Sequence, residues 1–273
     1  MKKISILLMG IFMFAACNDE KKETGSKMIK GDIAIEGLKG DISTYEETPF
    51  KADSTGKPGD MDSCCISVSE YDANGYAVKN TSKDSKGVIK NESAFERYDN
   101  GMFKSFKTTK EGGKPESSME LLKDDKGQYT VARAFDSLGK PDVYYTNLTQ
   151  NEDGQILSWK QYDKDSVFRQ SGESKYDKNL QTGFTMKDSV GKVKFSSSNK
   201  YNDNGELTEE NTSSTKKSEK TMMDTTTTSV TKYTYDAHDE MGNWTQRTKW
   251  DDKGKATAIT KRTYTYRNMA VKK

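Results

Sequence analysis

Short runs rich in Thr, Tyr, Val and Trp alternate along this chain with turns that contain glycine. Residues 127–135 and 154–162 are two such runs, each about one strand long. β-Branched and aromatic residues suit the pleated, half-buried surface of a strand. Asp, Asn and Gly suit turns, because they tolerate left-handed backbone or bond their own backbone. Evenly spaced short strands with turns between them predict an all-β antiparallel meander.

The turns fall into two classes that recur in step between residues 71 and 205. The first class, typified by Tyr71-Asp72-Ala73-Asn74-Gly75, falls at positions 75, 101, 127, 154, 180 and 205, which are 26, 26, 27, 26 and 25 residues apart. The second class, typified by Asp84-Ser85-Lys86-Gly87, falls between them at positions 87, 113, 139, 166 and 191. A fixed period in the twenties is typical of repeat architectures. The sequence therefore predicts repeats of about 26 residues, each a double hairpin.

Composition limits how such a sheet packs. Apolar residues make up 32% of the chain, charged residues another 32%, and the mean hydropathy is −0.97. This is too polar for a two-layer sandwich, in which about half of each strand faces a core. The segments between turns are too short for crossover helices, which disfavours a parallel sheet. Because sheets of more than about ten strands usually curl, split or flatten, we expect a strongly curved or partly closed sheet.

The N-terminus has the features of a processing signal. Met1-Lys2-Lys3 is positively charged, and the apolar run that follows is too short to span a bilayer comfortably. The run ends in Phe14-Ala15-Ala16-Cys17, which resembles the lipobox of bacterial lipoproteins, with Phe14 in place of the usual Leu. The resemblance implies cleavage before Cys17 and acylation of that cysteine, which anchors the protein to a membrane. The alternative is an ordinary secretory peptide with a chance cysteine.

The remaining chain divides into a tether and one domain. Residues 1–16 are the predicted signal peptide, residues 17–35 a flexible tether, and residues 36–273 a single β-repeat domain whose first strand lies within residues 37–46. Asn18-Asp19-Glu20 resembles the segment that directs some lipoproteins of Bacteroidota-type bacteria to the outer face, although tethers are commonly charged. We expect attachment to the outer membrane, with the side open and the cell surface slightly favoured.

Cys64 and Cys65 are the only cysteines besides Cys17. Adjacent cysteines rarely bridge each other, because a disulfide favours Cα atoms about 5.5–6 Å apart. We therefore interpret the pair as small strand residues. A vicinal redox pair or a metal site is the alternative.

The C-terminal part carries a family resemblance. Tyr233-Thr234-Tyr235-Asp236, followed by a glycine turn, resembles the YD repeat of RHS-type bacterial surface and toxin-shell proteins. Residues 241–247 and 38–46 are similar to closing and opening segments of small YD-like lipoproteins of Bacteroidota. The resemblance covers residues 36–266 and implies non-enzymatic β-hairpin strips. The chain lacks the long RHS core segment and a C-terminal toxin domain, which argues against a closed toxin-storing shell.

The sequence offers little catalytic or metal-binding chemistry. Its single histidine, His238, lies in a predicted loop beside acids, where a histidine is most often solvated. Nucleophile elbows, histidine-rich metal spacings and phosphate loops are missing from the sequence. Acidic turns such as residues 151–154 and 201–205 invite a calcium interpretation, but their turn role explains them more simply. We expect no catalytic residue, no metal and no cofactor.

The charge and the aromatic residues of the chain indicate which kinds of molecule it binds. A net charge of +2 from 44 basic and 42 acidic residues leaves no basic stripe for nucleic acid. Trp159, Trp244 and Trp250 are the candidate partner-binding aromatics, unless they are rungs of the sheet's own aromatic ladder. The leading hypothesis is a cell-envelope lipoprotein that serves as a structural or binding scaffold for a protein or glycan. The alternative is an envelope or carbohydrate-processing hydrolase with carboxylates on the concave face.

Overall fold

The computed structural model describes residues 29–53, 55–62, 65–217 and 223–267. Within these ranges lie a short helix, α1 (Asp32–Ile35), a 3-10 turn (Glu111–Gly113) and seventeen strands. The strands are β1 (Ile42–Ala52), β2 (Pro58–Met61), β3 (Ile66–Tyr71), β4 (Ala77–Lys83), β5 (Ile89–Arg97), β6 (Phe103–Lys110), β7 (Lys114–Lys123), β8 (Tyr129–Phe135), β9 (Pro141–Gln150), β10 (Ile156–Asp163), β11 (Phe168–Asp177), β12 (Leu180–Asp188), β13 (Val193–Tyr201), β14 (Leu207–Lys217), β15 (Asp224–His238), β16 (Trp244–Trp250) and β17 (Ala256–Tyr266).

The sheet closes on itself through β1. From β3 to β17 each strand pairs antiparallel with the next along the chain, and β1 pairs with both β3 and β17. Tyr45 of β1, for example, lies opposite Ser69 on one side and Tyr264 on the other. Strand β2 forms a side hairpin on β1, so sixteen of the seventeen described strands form the ring. The predicted all-β antiparallel meander is confirmed, and its closure is complete rather than partial.

The acidic turn residues bind the backbone of their own turns. In the turn between β4 and β5, the Asp84 Oδ1 accepts hydrogen bonds from the N–H groups of Lys86 at 2.9 Å and Val88 at 3.0 Å. Gly87 closes the turn with a φ of +80°, a conformation that L side chains rarely adopt. The same side-chain bonding recurs in turns that begin at Asp72, Asp124, Asp136, Asp188, Asn202 and Asp251. Backbone bonding therefore explains why these positions carry Asp or Asn.

The two faces of the wall differ in chemistry. Because cross-strand partners point to the same face, the register assigns each side chain to one face. The outward face carries exposed ion pairs, among them Arg133–Glu120 at 3.4 Å and Lys187–Glu173 at 2.8 Å. The inward face of β5–β10 carries the main apolar cluster: Met102, Phe103, Phe106, Met119, Leu121, Tyr129, Ala132, Tyr145 and Ile156. We call these two faces the outer wall and the inner wall.

Residues 29–41 cross the barrel mouth formed by the first class of turns, and we call this segment the strap. The N–H of Ile29 donates to the carbonyl of Asn100 and that of Ile33 to the carbonyl of Gly75, both at 3.1 Å. At the other end, the N–H of Lys39 donates to the Oδ1 of Asn243, whose Nδ2 donates back to the Lys39 carbonyl, both at 2.8 Å. The strap therefore ties turns on both sides of β1 together.

The strap corrects the predicted start of the first strand. The sequence places an opening strand at residues 37–46, but β1 begins at Ile42. Gly37 and Gly40 have φ values of +67° and +87°, which lie outside the extended region of strands. Residues 29–35, which the sequence analysis assigns to the tether, lie against the barrel, where Ile33 and Leu38 pack on Ile42.

The interpretation of the cysteine pair as strand residues is wrong for Cys65. This residue is disulfide-bonded and lies just before β3 with a φ of +76°. The other cysteines of the chain, Cys17 and Cys64, lie outside the described residues. A left-handed backbone at Cys65 interrupts the extended chain and explains why the strand starts at Ile66.

Candidate functional site

The inner wall carries rows of uncharged polar side chains. In one row the register aligns residues of five adjacent strands: Ser69, Asn80, Ser93, Thr108 and Ser117. Within this row the Asn80 Nδ2 donates to the Ser69 Oγ at 3.0 Å, and the hydroxyls of Ser93 and Thr108 are 2.8 Å apart. A second row on β11–β15, polar except for one aromatic ring, consists of Ser174, Phe184, Ser197, Thr212 and Ser229, all at least partly exposed. The inner wall thus offers hydroxyl and amide groups beside aromatic rings.

A cluster of aromatic rings and arginines interrupts these rows on β1 and β15–β17. Arg262 lies over the ring of Trp244 at 3.9 Å and over that of Tyr45 at 4.6 Å. Its Nε donates to the Glu47 Oε1 at 2.6 Å. Burial disfavours the charged guanidinium, but Glu47, Tyr45, Tyr264 and Glu36 together outweigh this effect, so the pKa of Arg262 lies above its ordinary value. Arg262 is therefore a paired cation fixed between two rings.

The strap adds a carboxylate to this cluster. The Glu36 Oε1 and Oε2 accept hydrogen bonds from the hydroxyls of Tyr71 and Tyr45, each at 3.2 Å. Desolvation by the surrounding protein raises the pKa of Glu36, and the charge of Arg262 opposes that shift.

A second arginine of the cluster lies between two rings and has a different environment. The Arg247 guanidinium is 4.8 Å from the ring centre of Trp244 and 5.0 Å from that of Tyr233. Among the described residues it forms no ion pair with an Asp or Glu within 4.0 Å. The Tyr233 hydroxyl donates to the Glu210 Oε2 at 3.4 Å. Burial, reinforced by the Glu210 carboxylate, raises the pKa of Tyr233 to about 12.

The three tryptophans proposed from the sequence occupy different places. Trp159 lies on the inner wall, where its ring meets that of Tyr145 edge to face at 5.5 Å. Trp244 lies within the arginine cluster and is 7% exposed. Trp250 faces the outer wall, where its Nε1 donates to the Thr234 Oγ1 at 3.0 Å. The structure therefore brings two of them to the inner wall, at separate places, and the third to the opposite face.

The strap is fixed to the barrel by one buried ion pair. Asp32 is 1% exposed, and its Oδ2 accepts hydrogen bonds from the guanidinium of Arg97 and, at 2.6 Å, from the N–H of Ala77. Its Oδ1 has no hydrogen-bond partner among the described residues. Burial raises the pKa of Asp32 to about 7, and the charge of Arg97 opposes that shift. The pair joins α1 to the end of β5.

The other sequence candidates have simple structural positions. His238 lies at the end of β15 rather than in a loop, and its Nε2 is 2.7 Å from the Glu206 Oε1. Cys17 lies outside the described residues. Within the part of the chain that the structure describes, no three His, Cys, Asp or Glu side chains converge as a metal site. None of the helices described there has the length and apolar character needed to cross a bilayer.

Sequence reasoning did not single out Arg247, Arg262 or the Asp32–Arg97 pair. For Arg262 a signal was present, because it alternates in phase with Tyr264 and Tyr266 and therefore shares their face. Arg247 carries no such signal. The register shifts between Tyr235 and His238 change which face of the sheet the neighbouring side chains occupy, so simple alternation does not predict the face of Arg247. Asp32 and Arg97 are 65 residues apart, and only the closed barrel brings them together.

Comparison with known proteins identifies the fold. A crystal structure of a porin-like protein from Bacteroides uniformis matches with a TM-score of 0.51 and 15% identity, covering 82% of this chain and 98% of that one. The two chains share a fold. A porin-like protein from Bacteroides vulgatus (TM-score 0.28, 12% identity, 84% and 99% coverage) and the TcdB2–TccC3 complex (TM-score 0.29, 13% identity, 80% and 14% coverage) also match. No protein-family profile and no curated protein sequence matches the chain.

Proposed function

We propose that this chain is a lipid-anchored scaffold of the bacterial cell envelope that binds a glycan against the inner wall of its barrel. The proposal rests on the composition of the inner wall, which combines rows of hydroxyl and amide groups with aromatic rings. Sugars present hydroxyl groups at their edges and C–H groups on their faces, and such a wall complements both. Binding sites of this kind typically combine aromatic side chains with a few well-placed polar groups. The fold shared with a porin-like protein is consistent with an envelope protein.

The charged outer wall supports attachment through a lipid rather than by insertion of the barrel. A barrel in a bilayer presents an apolar band about 25 Å tall, and each outward Lys or Arg at its middle costs roughly 2–4 kcal/mol. Here the outward strand faces carry ion pairs such as Lys200–Glu209 at 2.8 Å and Lys79–Glu92 at 3.2 Å. We infer that the barrel lies in water and that acylated Cys17 holds it at the membrane.

The path of the chain indicates which mouth faces the membrane. Eleven residues separate Cys17 from Ile29, where the strap meets the barrel. Fully extended, such a segment reaches no more than roughly 40 Å. The mouth crossed by the strap is therefore nearest the anchor, and the opposite mouth faces away from it.

The proposal includes no catalytic step. Hydrolysis of a glycosidic bond ordinarily uses two carboxyl groups, one of them free to give and take a proton. Glu47 is bound to Arg262, and Glu36 accepts hydrogen bonds from two tyrosines. The third inner-wall carboxylate beside the cluster, Glu210, accepts a hydrogen bond from the Tyr233 hydroxyl, so all three have structural partners.

Substitution of Cys17 tests the anchor. The variant Cys17→Ser has no thiol to acylate, so we expect the protein to move from the membrane fraction to the soluble fraction of the cell envelope. Fractionation followed by immunoblotting measures the shift, with Ser26→Ala, outside the lipobox, as the control that keeps the anchor. Retention of the Cys17→Ser protein in the membrane fraction would show that lipid on this cysteine is not what holds it.

Titration of the unlipidated chain from residue 18 onward with oligosaccharides tests binding to the inner wall. We expect saturable quenching of tryptophan fluorescence by a hexasaccharide, since Trp159 and Trp244 lie on that wall. Trp244→Phe should remove a large part of the response, whereas Trp250→Phe, on the outer wall, should leave the response unchanged. A panel of neutral and acidic hexasaccharides that gives no saturable response would refute glycan binding.

A further inference from the structure

Arg247 differs from the other inward-facing arginine of the cluster in having no carboxylate partner among the described residues. Arg262 donates to the Glu47 carboxylate at 2.6 Å, whereas Arg247 contacts the faces of Tyr233 and Trp244. Both arginines lie against the same indole ring, at 3.9 and 4.8 Å from its centre. Within the described part of the chain, the cluster therefore contains one cation that is paired with a carboxylate and one that is held in place without an ion-pair partner.

The rings of Tyr233 and Trp244 orient Arg247, and its hydrogen bond with the Tyr235 hydroxyl uses only part of its hydrogen-bonding capacity. Stacking on aromatic faces restricts the guanidinium, so less conformational freedom is lost when it binds a ligand. Its N–H groups lie in the plane of the guanidinium, and they match the two oxygens of a carboxylate. An arginine held in this way is suited to recognise an anionic group presented from the lumen.

The surrounding charges favour a singly charged ligand group. Arg247 and Arg262 contribute two positive charges to this part of the inner wall, and Glu36, Glu47 and Glu210 contribute up to three negative ones. These carboxylates repel a phosphate monoester with two negative charges more strongly than a carboxylate with one. A carboxylate carries one charge and still forms two hydrogen bonds with a guanidinium.

We propose that Arg247 is the acid-recognition residue of the glycan site and that it binds the carboxylate of a uronic-acid sugar. This inference rests on the proposed function, because it assigns the acidic subsite of the same inner wall. Trp244 and Tyr233 hold the guanidinium, and the neutral hydroxyl and amide rows contact the rest of the sugar chain. The glycan is then an acidic polysaccharide rather than a neutral one.

Isothermal titration calorimetry with two forms of one oligosaccharide tests the assignment. The probes are hexagalacturonate and its fully methyl-esterified form, which has the same sugar backbone without the charges. We expect the acid to bind the chain from residue 18 onward at least about tenfold more tightly, in line with the strength of charge-assisted hydrogen bonds. In Arg247→Gln this preference should vanish, while the affinity for the ester stays unchanged.

Two further variants separate recognition from folding. Arg247→Lys keeps the charge but loses the planar fork, so it should recover only part of the preference for the acid. Arg133→Gln, on the outer wall, should leave the affinities for both probes unchanged. Equal affinities for acid and ester in the unsubstituted chain would overturn the role of Arg247 and leave glycan binding intact. Failure of both probes to bind would overturn the assignment of Arg247 and also count against the proposed function.

Discussion

Replacing Arg97 with Gln is expected to lower the free energy of unfolding by about 3–5 kcal/mol at pH 8. The side chains of Arg97 and Asp32 are 10% and 1% exposed, so the variant leaves a buried carboxylate without its cation. The strap, which this pair fixes to the end of β5, should detach from the barrel before the strands unfold. Urea unfolding followed by circular dichroism measures the change in stability. Hydrogen exchange of residues 29–40 shows whether the strap detaches.

Arg133→Gln is the matched control for this prediction. Arg133 and Glu120 also form an ion pair, but their side chains are 46% and 39% exposed on the outer wall. Exposed pairs contribute about 0–1 kcal/mol, because water and salt screen them. Similar losses of stability in the two variants would show that the buried Asp32–Arg97 pair contributes no more than an exposed pair. The strap would then be held by its other contacts.

The free energy of unfolding is expected to contain a component that falls as the pH rises from about 4 to about 7. The pKa of Asp32 is about 7 in the folded protein, against an ordinary value of 3.8. The folded state therefore holds a proton in this pH window that the unfolded state has released. Removing that proton from the buried carboxyl disfavours the folded state by roughly 1.4 kcal/mol for each pKa unit between the two values. Above about pH 7 the component levels off.

The variant Asp32→Asn isolates this component from other titrations. The amide side chain keeps an oxygen and a nitrogen atom at the site but does not titrate, so the stability of the variant should lack the fall. The quantity to compare is the free energy of unfolding at pH 5 minus that at pH 7.5, for the natural chain and the variant. We expect this difference to be larger by about 2–3 kcal/mol in the natural chain. Equal differences in the two proteins would show that Asp32 titrates below this window.

Local chemistry made the strands and turns predictable from the sequence. An Asp or Asn followed by glycine determines the turn within five residues, as in residues 84–88, and the β-branched and aromatic residues between turns form the strands. The curvature of the sheet followed from the number of strands and the polar composition. These features depend on contacts between residues that are close in sequence, so a single chain reveals them.

Long-range contacts determined what the sequence did not reveal. Complete closure depends on β1 pairing with β17, more than two hundred residues away, and no local pattern encodes that pairing. The strap contains apolar residues and an acid that resemble an opening strand, but Gly37 and Gly40 break the extended chain. The environment of Arg247 depends on the rings of Tyr233 and Trp244, which lie on two different strands. It also depends on the absence of a carboxylate within ion-pair distance among the described residues.

The choice among the three tryptophans shows the same limit. All three satisfy the sequence criterion of large aromatics between turns. Trp250 and Trp244 lie on one strand yet face opposite sides of the wall, because the register shifts near the start of β16. A criterion based on alternation alone would have assigned them to the same face.

Strand β1 seals the sheet into a barrel by pairing with both β3 and β17, and a disulfide cross-link between β1 and β17 tests this closure. Thr48 and Lys261 lie opposite each other in the register of these strands, on the outer wall. Cα atoms of such partners lie about 4.5–5.5 Å apart, within the range of a disulfide. Oxidation of the double variant Thr48→Cys/Lys261→Cys should give an intramolecular link, identified by mass spectrometry of its proteolytic peptides. Thr48→Cys/Lys187→Cys, with one cysteine on β12, should give none. Absence of the first link, or equal yields of both, would contradict the closed barrel.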